Sequence, residues 1–387
     1  MVDDIQVSVR ERIETAIHDQ WCSAAAVMVL HRGRILARHG EGWLATHQAT
    51  PDDPGTTGAR VENPVAADAQ TWFDLASVTK TISAVTLLTL VEHGDLDLDA
   101  PIGHHLAPFA TGDRSRVTLR MLLTHTSGLP PTWSGWFHPL DRARQAGIVE
   151  PLQQWPPQAP GRADLLEDLL ASPLQNAPGT AWDYSCVGFN TAMALAETVT
   201  GTGWGDLVTD LVLGPMGLSD GIAFVPAGPA AATEYQPEFG RGVVQGIVHD
   251  ETAWSLGGVC ANAGLFATVD GLAGFTEALR TDELPCSNEP LLTNALPAIL
   301  GRDVADQDTA PWGHGLGLRL GQDWLGDPHA AGHAGFTGTG IMVNPELELS
   351  VVVLANRVHP RRSETQVQRL REEICAAATQ FVRADRD

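Results

Sequence analysis

The sequence predicts an α+β fold in which both chain ends build one antiparallel sheet and a mostly helical part is inserted between them. Two observations carry this. Strand-like segments cluster at the ends, over 24–30 and 35–42 and again over 315–320, 340–344 and 349–354, whereas helical periodicities fill the interval. The 387 residues also suffice for one large domain or two intertwined ones with a sizeable core. The expected division is 1–76 plus 310–387 for the sheet part and 77–309 for the helical part, with the working site at their junction.

Each element has its reason. Residues 3–20 carry Ile5, Val7, Ile13 and Ile17 among charges, the pattern of a surface helix. The apolar run 24–30, the turn His31-Arg32-Gly33-Arg34 and the return over 35–42 read as a hairpin. Residues 45–70, rich in Pro, Gly, Asp and Thr, read as a loop. From Ser77 onward, Val78, Ile82, Val85, Leu88 and Val91 recur at three- and four-residue steps until Gly94, so a helix is expected, followed by a short one over 117–123. Residues 129–162 hold seven prolines with Trp133, Trp136 and Trp155, and read as a long loop, either a functional lid or a proline-stiffened excursion. Further helical patterns cover 163–171, 187–200, 204–213 and 269–280. Pro345-Glu346-Leu347-Glu348 turns between the last two strands, and 364–382 closes the chain as a helix.

Composition excludes several classes of function. Hydrophobic residues at 43% and charged residues at 18% fit a folded chain. A formal net charge of −23 excludes general affinity for nucleic-acid phosphates or anionic lipid. No stretch approaches the roughly 20 apolar residues of a membrane-spanning helix. Five scattered cysteines (Cys22, Cys186, Cys260, Cys286 and Cys375) include no Cys-x-x-Cys pair and read as free thiols of a reducing compartment. The acidic start lacks the basic and apolar regions of a signal peptide, so a cytoplasmic location is expected.

The basic residues point to the chemistry. Of 24 Lys plus Arg, one is Lys, Lys80. Arg does not give up its proton in a protein, whereas a desolvated Lys does. Lys80 follows Ser77 by three residues, so on a helix the two share a face. A serine hydroxyl is a weak nucleophile until a base takes its proton, and a lysine serves once burial or a nearby cation lowers its pKa. Tyr184, one of only two tyrosines, lies just after Pro178-Gly179, on a loop where it can relay a proton. In 331–340, four glycines surround His333 and allow close backbone approach to a ligand, with a second oxyanion donor on that edge.

Together these motifs resemble the serine β-lactamase and penicillin-binding-protein-like hydrolases, which include class C β-lactamases, DD-peptidases, family VIII esterases and acyltransferases. The resemblance runs from Phe73-Asp74-Leu75-Ala76-Ser77-Val78-Thr79-Lys80 through 122–130, 178–185 and 257–266 to Gly332-His333-Ala334-Gly335-Phe336-Thr337-Gly338-Thr339. It implies a β-lactamase-like fold with terminal helices flanking the sheet, and Ser77 as acyl-forming nucleophile. Lys80 would be its base, Tyr184 the proton relay, and the N–H groups of Ser77 and Phe336 the oxyanion hole. Cys186, His333, Ala334 and Gly335 would line the substrate. No metal or organic cofactor is implied.

Two departures shape the expectation. Cys186 stands where the family usually carries Asn, and His333 where it usually carries Lys; His333 would be a weaker, pH-dependent partner for a substrate carboxylate. These point to the esterase and acyltransferase branch, acting on a small-molecule ester or amide. The alternatives are a transacylase to an amine or alcohol in small-molecule biosynthesis, a β-lactamase or DD-peptidase, and a non-catalytic penicillin-binding-like module. Other motifs read as incidental: Gly217-Leu218-Ser219-Asp220-Gly221 as a turn rather than a nucleophile elbow, Asp95, Asp97 and Asp99 as a strand-like solvated edge, and Cys186, for want of a helix start or basic partner, as a spectator thiol rather than a nucleophile.

Overall fold

The structure, a computed structural model, describes residues 2–48, 58–145, 154–156, 158–301, 312–362 and 366–385. Its main sheet has seven strands: β1 (Ala24–His31), β2 (Arg34–Gly42), β3 (Gly313–His314), β4 (Arg319–Leu320), β5 (Ala331–Ala334), β6 (Gly340–Asn344) and β7 (Leu349–Ala355). Their spatial order is β3-β4-β5-β6-β7-β1-β2, antiparallel throughout. The chain ends meet at β1 and β7, where Val27 sits opposite Val353. The β1–β2 turn has positive φ at both central residues, Arg32 (53°) and Gly33 (72°), the twist that a right-handed hairpin favours.

Both faces of the sheet are covered, which is why β1 reads as an unbroken apolar run. Ala25, Val27 and Val29 join Val351 and Val353 under two terminal helices, α1 (Val2–His18) and α5 (Val367–Ala384). Ala26, Met28 and Leu30 join Val352 and Leu354 in a second core that continues into the helical part. There α4 (Val269–Thr281) packs on β1, β6 and β7. On α1 the buried stripe is Ile5, Val9, Ile13 and Ala16, while Val7 is 41% exposed. Val7 lies off this stripe because two residues along a helix is about 200° around it.

Helix α2 (Thr79–Glu92) runs through the middle of the molecule, with every residue from Thr79 to Leu90 buried. A helix apolar all round belongs in a core, and this one carries Lys80 inside with it, at 0% exposure. Helix α3 (Cys186–Thr200) packs beside it.

Several expectations need correction. The proline-rich segment contains a helix, Phe137–Gln145, whose Pro139 sits in the first turn where no internal hydrogen bond is lost. The single strand expected over 315–320 is β3, a turn and β4. The 95–99 segment is not a strand: Asp97 Oδ1 accepts from the N–H groups of Asp99 (2.8 Å) and Ala100 (3.2 Å), and Asp99 pairs with Arg120 at 2.7 Å. A strand pair, Ala232–Gln236 with Gly242–Gln245, occurs where none was expected. The 217–221 segment is a turn. Residues 49–57 of the expected loop, 146–153 and 157 of the proline-rich segment, the 310 boundary and the 364 start of the closing helix lie outside the described residues.

Candidate active site

Ser77 sits in a 3-10 turn, Ala76–Val78, that runs directly into α2. The turn is held tightly. Ala76 has φ 44°, a conformation costly for a residue with a Cβ. Its N–H donates to Asp74 Oδ1 at 2.8 Å, and Asp74 Oδ2 also accepts from the His249 N–H at 2.6 Å. Across from it, Thr337 Oγ1 donates to Asp74 O (2.7 Å) and Thr339 Oγ1 to Leu75 O (2.9 Å). The glycine-rich segment is thereby tied to the backbone leading into Ser77. Gly335 permits this: a Cβ there would stand 2.1 Å from Thr339 Oγ1 and 2.5 Å from Leu75 O. Among the described residues the Phe336 N–H donates to no protein acceptor.

Lys80 Nζ lies 3.0 Å from Ser77 Oγ, 2.9 Å from Asn262 O and 3.4 Å from Cys186 Sγ. Its pKa is set by opposing effects. Burial favours the neutral amine, but negative charge on Cys186 first and on Tyr184 second favours the ammonium, and the balance lies above the ordinary lysine value. The downward shift expected from the sequence is therefore not found.

Tyr184 is placed by its surroundings. Its ring centroid is 5.0 Å from Lys80 Nζ, 4.5 Å from the His125 ring and 6.2 Å from the His333 ring. His125 fixes the loop: its O accepts from Asp183 N–H (2.9 Å) and its Nδ1 from Ser185 N–H (3.1 Å). Accepting at Nδ1 puts the proton of the neutral ring on Nε2. Burial, then the charges of His314 and Lys80, pushes the His125 pKa well below the ordinary value. Ser185 caps α3, accepting from Gly188 N–H at 3.0 Å, and α3 opens at Cys186. Cys186 thus has both the helix start and the basic partner that the sequence reading found missing.

His333 is buried, with Nδ1 donating to Ala334 O at 3.0 Å and no partner for Nε2 among the described residues. Burial and then the charge of Arg319 hold its pKa well below the ordinary value. The pH-dependent carboxylate partner expected at His333 is thereby weakened further, because burial disfavours the charged ring. A second basic side chain beside Tyr184, after Lys80, is Arg319 on β4, with Cζ 5.1 Å from the Tyr184 ring centroid. Phe336 is 46% exposed and its ring stacks on His249 at 5.7 Å.

Comparisons with known proteins show the family and the fold. The β-lactamase family model matches residues 9–376. The chain belongs to the β-lactamase family. Esterase EstB of Burkholderia gladioli is 31% identical to this β-lactamase-family chain over 399 residues, covering 94% of the chain and 93% of EstB. Among solved structures, EstCE1, a hydrolase with promiscuous acyltransferase activity, superposes with a TM-score of 0.67 at 19% identity, covering 97% of this chain and 99% of that one. A class C β-lactamase gives 0.69 at 15% identity with 98% of both chains covered. These two likenesses establish the β-lactamase fold. Among the described residues, no helix is long and apolar enough to cross a membrane and no cluster could hold a metal ion.

The structure brings Ser77, Lys80, Tyr184, Cys186 and His333 together, with Ala334 ending β5 and Gly335 and Phe336 in the turn that follows it. Sequence reasoning missed four contributors. Asn262 offers a carbonyl to Lys80, and His125 lies inside the 122–130 motif. Arg319 and His314 lie outside every quoted motif, and only the folding of β3 and β4 beside β5 discloses them.

Proposed function

We propose that this member of the β-lactamase family is a serine acyl-enzyme hydrolase acting on a small ester or activated amide. The observation that carries the reading is the 3.0 Å contact from Lys80 Nζ to Ser77 Oγ, on a buried helix with Tyr184 alongside. Ser77 Oγ attacks the carbonyl carbon while its proton passes to the Lys80–Tyr184 pair. Burial favours the free amine of Lys80, the form that accepts it. The carbonyl oxygen, negative in the transition state, lies at the N–H groups of Ser77 and Phe336, where preorganised donors stabilise it. Tyr184 returns the proton to the leaving atom as the carbon–oxygen or carbon–nitrogen bond breaks. Water, deprotonated by the same pair, then attacks the acyl carbon and releases Ser77.

The likeness to EstB supports an ester substrate, and the fold shared with EstCE1 is compatible with an amine or alcohol replacing water as acceptor. One observation favours a second reading, a substrate bearing a carboxylate, β-lactams included: Arg319 supplies beside Tyr184 the cation that neutral His333 does not. The test is steady-state hydrolysis of short-chain p-nitrophenyl esters and of a penicillin. Turnover of the esters that Ser77→Ala removes supports the proposal. Penicillin turnover with inert esters would favour the second reading.

A further inference from the structure

Asp250 is a carboxylate beside Lys80 that the acyl chemistry does not use. It caps the short helix Glu251–Ser255, and its neighbours on both sides belong to the site. The ring of His249, next to it in the chain, stacks on Phe336 at 5.7 Å. Asn262, to which Asp250 is hydrogen-bonded, offers its backbone O to Lys80 Nζ at 2.9 Å. The charge of Asp250 reaches Lys80: after burial and the charges of Cys186 and Tyr184, it is a further influence on that amine.

Three observations set Asp250 apart from a carboxylate that only caps a helix. It forms no ion pair among the described residues, whereas the nearby Glu234 and Glu251 both pair with Arg362. The hydrogen bonds it accepts, from the Ala253 N–H (2.8 Å) and Asn262 Nδ2 (3.2 Å), both fall on Oδ1, and Oδ2 accepts none among the described residues. The residue is half-buried, so a ligand can reach it. Asn262, by contrast, is 1% exposed, and its Oδ1 has no partner among the described residues although the same amide holds Asp250. A buried acceptor left without a donor is costly.

Two side-chain oxygens without donors, one of them charged, thus sit together beside Lys80. Lys80 does not serve them: its Nζ reaches Ser77 Oγ, Cys186 Sγ and the backbone O of Asn262. An ammonium group on a ligand carries three donors and the compensating charge, and its bonds to a carboxylate are of the strong, charge-assisted kind. The side of the site is set by Tyr184, the proton donor to the leaving atom. Its ring and cation neighbours are Lys80, His125, His333 and Arg319, with none from 249–262. Asp250 therefore stands on the acyl side.

We propose that Asp250 is a specificity-determining residue that binds an ammonium group on the acyl part of the substrate, with Asn262 Oδ1 as a second acceptor. This assignment rests on the acyl-enzyme reading above and narrows the substrate to an aminoacyl ester or amide.

Steady-state hydrolysis of paired p-nitrophenyl esters, corrected for spontaneous hydrolysis, tests it. The β-alanine ester carries an ammonium where the butyrate carries a methyl group, and the glycine ester is paired with the propionate in the same way. The quantity read is the ratio of kcat/KM values within a pair, compared between the wild-type chain and Asp250→Asn. Asn keeps an oxygen for the Ala253 N–H and removes the charge. The different intrinsic reactivities of the paired esters cancel in this comparison. So does any change in Lys80 basicity, which scales both esters alike. In at least one pair the ratio should fall by roughly tenfold or more, the worth of one hydrogen bond to a charged group. A ratio that Asp250→Asn leaves unchanged in both pairs overturns the proposal, and so does a wild-type chain that turns over butyrate and propionate but neither ammonium ester. Failure of the acyl-enzyme reading shows separately, as no turnover of any of the four esters, and overturns this assignment with it.

Discussion

Cys186 Sγ lies 3.4 Å from Lys80 Nζ although 106 residues separate the two in sequence. Ser185 caps α3 so that Cys186 becomes its first residue, and α3 packs beside α2, which carries Lys80. A thiol can lose its proton, unlike the amide that the family resemblance leads one to expect there. It is therefore the neighbour whose charge most favours the Lys80 ammonium. Removing it lowers the Lys80 pKa, so the free amine persists to lower pH. Cys186→Ala should shift the acid limb of the kcat/KM profile to lower pH, with Cys186→Asn moving it the same way. A limb that stays in place or rises contradicts this coupling.

The same thiol differs from the other cysteines. Burial pushes Cys22, Cys286 and Cys375 up to about 12, and Cys260 higher still, so none of them offers a thiolate at neutral pH. Cys186 is only partly buried. One equivalent of iodoacetamide at pH 7.5 should label Cys186 first, as read by peptide mass spectrometry, and slow turnover as it does. Labelling spread evenly over the five cysteines would count against this.

Ser77, Lys80 and Tyr184 are expected to fail differently. Ser77→Ala removes the atom that is acylated. Lys80→Arg keeps a positive charge but cannot accept a proton, and should abolish acylation. Tyr184→Phe should lower kcat by about 10²–10⁴, the usual range for a general acid–base group. Near-normal turnover in Lys80→Arg removes Lys80 from its proposed role.

Gly335→Ala tests the tie between the glycine-rich strand and the Ser77 turn. The new Cβ overlaps Thr339 Oγ1 and Leu75 O, and such overpacking costs about 1–3 kcal/mol. Tm should fall and acylation slow, because the displaced carbonyl belongs to the backbone that leads into Ser77. An unchanged Tm would mean that the strand gives way freely.

A buried ion cluster beneath Phe336 sets the acid limit of stability. Burial raises the Glu234 pKa, but hydrogen bonds and charge from His249 (2.8 Å) and Arg362 (2.6 Å) outweigh it and hold the carboxyl at about 2, against 4.5 when unperturbed. A depressed folded-state pKa gives stability that is full above about 4.5 and lost as pH falls toward 2. Tm should drop across that window, and Glu234→Gln should be less stable at pH 7 and flatter across it. An equally steep drop in the variant would place the effect elsewhere.

How much was legible in the sequence follows from what each signal depends on. The terminal helices, β1, β2, β6, β7 and α2 have hydrophobic patterns of their own, and all occur close to where they were read. Ser77 and Lys80 were legible because a three-residue spacing on a helix is local geometry, and Tyr184 because it stands beside a turn signal. Arg319, His314 and Asn262 were not, since only the fold brings them beside Tyr184, His125 and Lys80. The neutrality of His333 also escaped the sequence, because burial and Arg319, not residue type, decide it. The Phe137–Gln145 helix was hidden by Pro139, which reads as a breaker until its place in the first turn is known.

The central claim is that Ser77 carries a transient acyl group. Time-resolved intact-protein mass spectrometry with a short-chain p-nitrophenyl ester tests it most directly. The expected result is a mass increase of one acyl group within the first turnovers, mapped to the peptide containing Ser77, decaying as the ester is consumed and absent from Ser77→Ala. Ester turnover with no such adduct on the wild-type chain, or an adduct that Ser77→Ala retains, would contradict it.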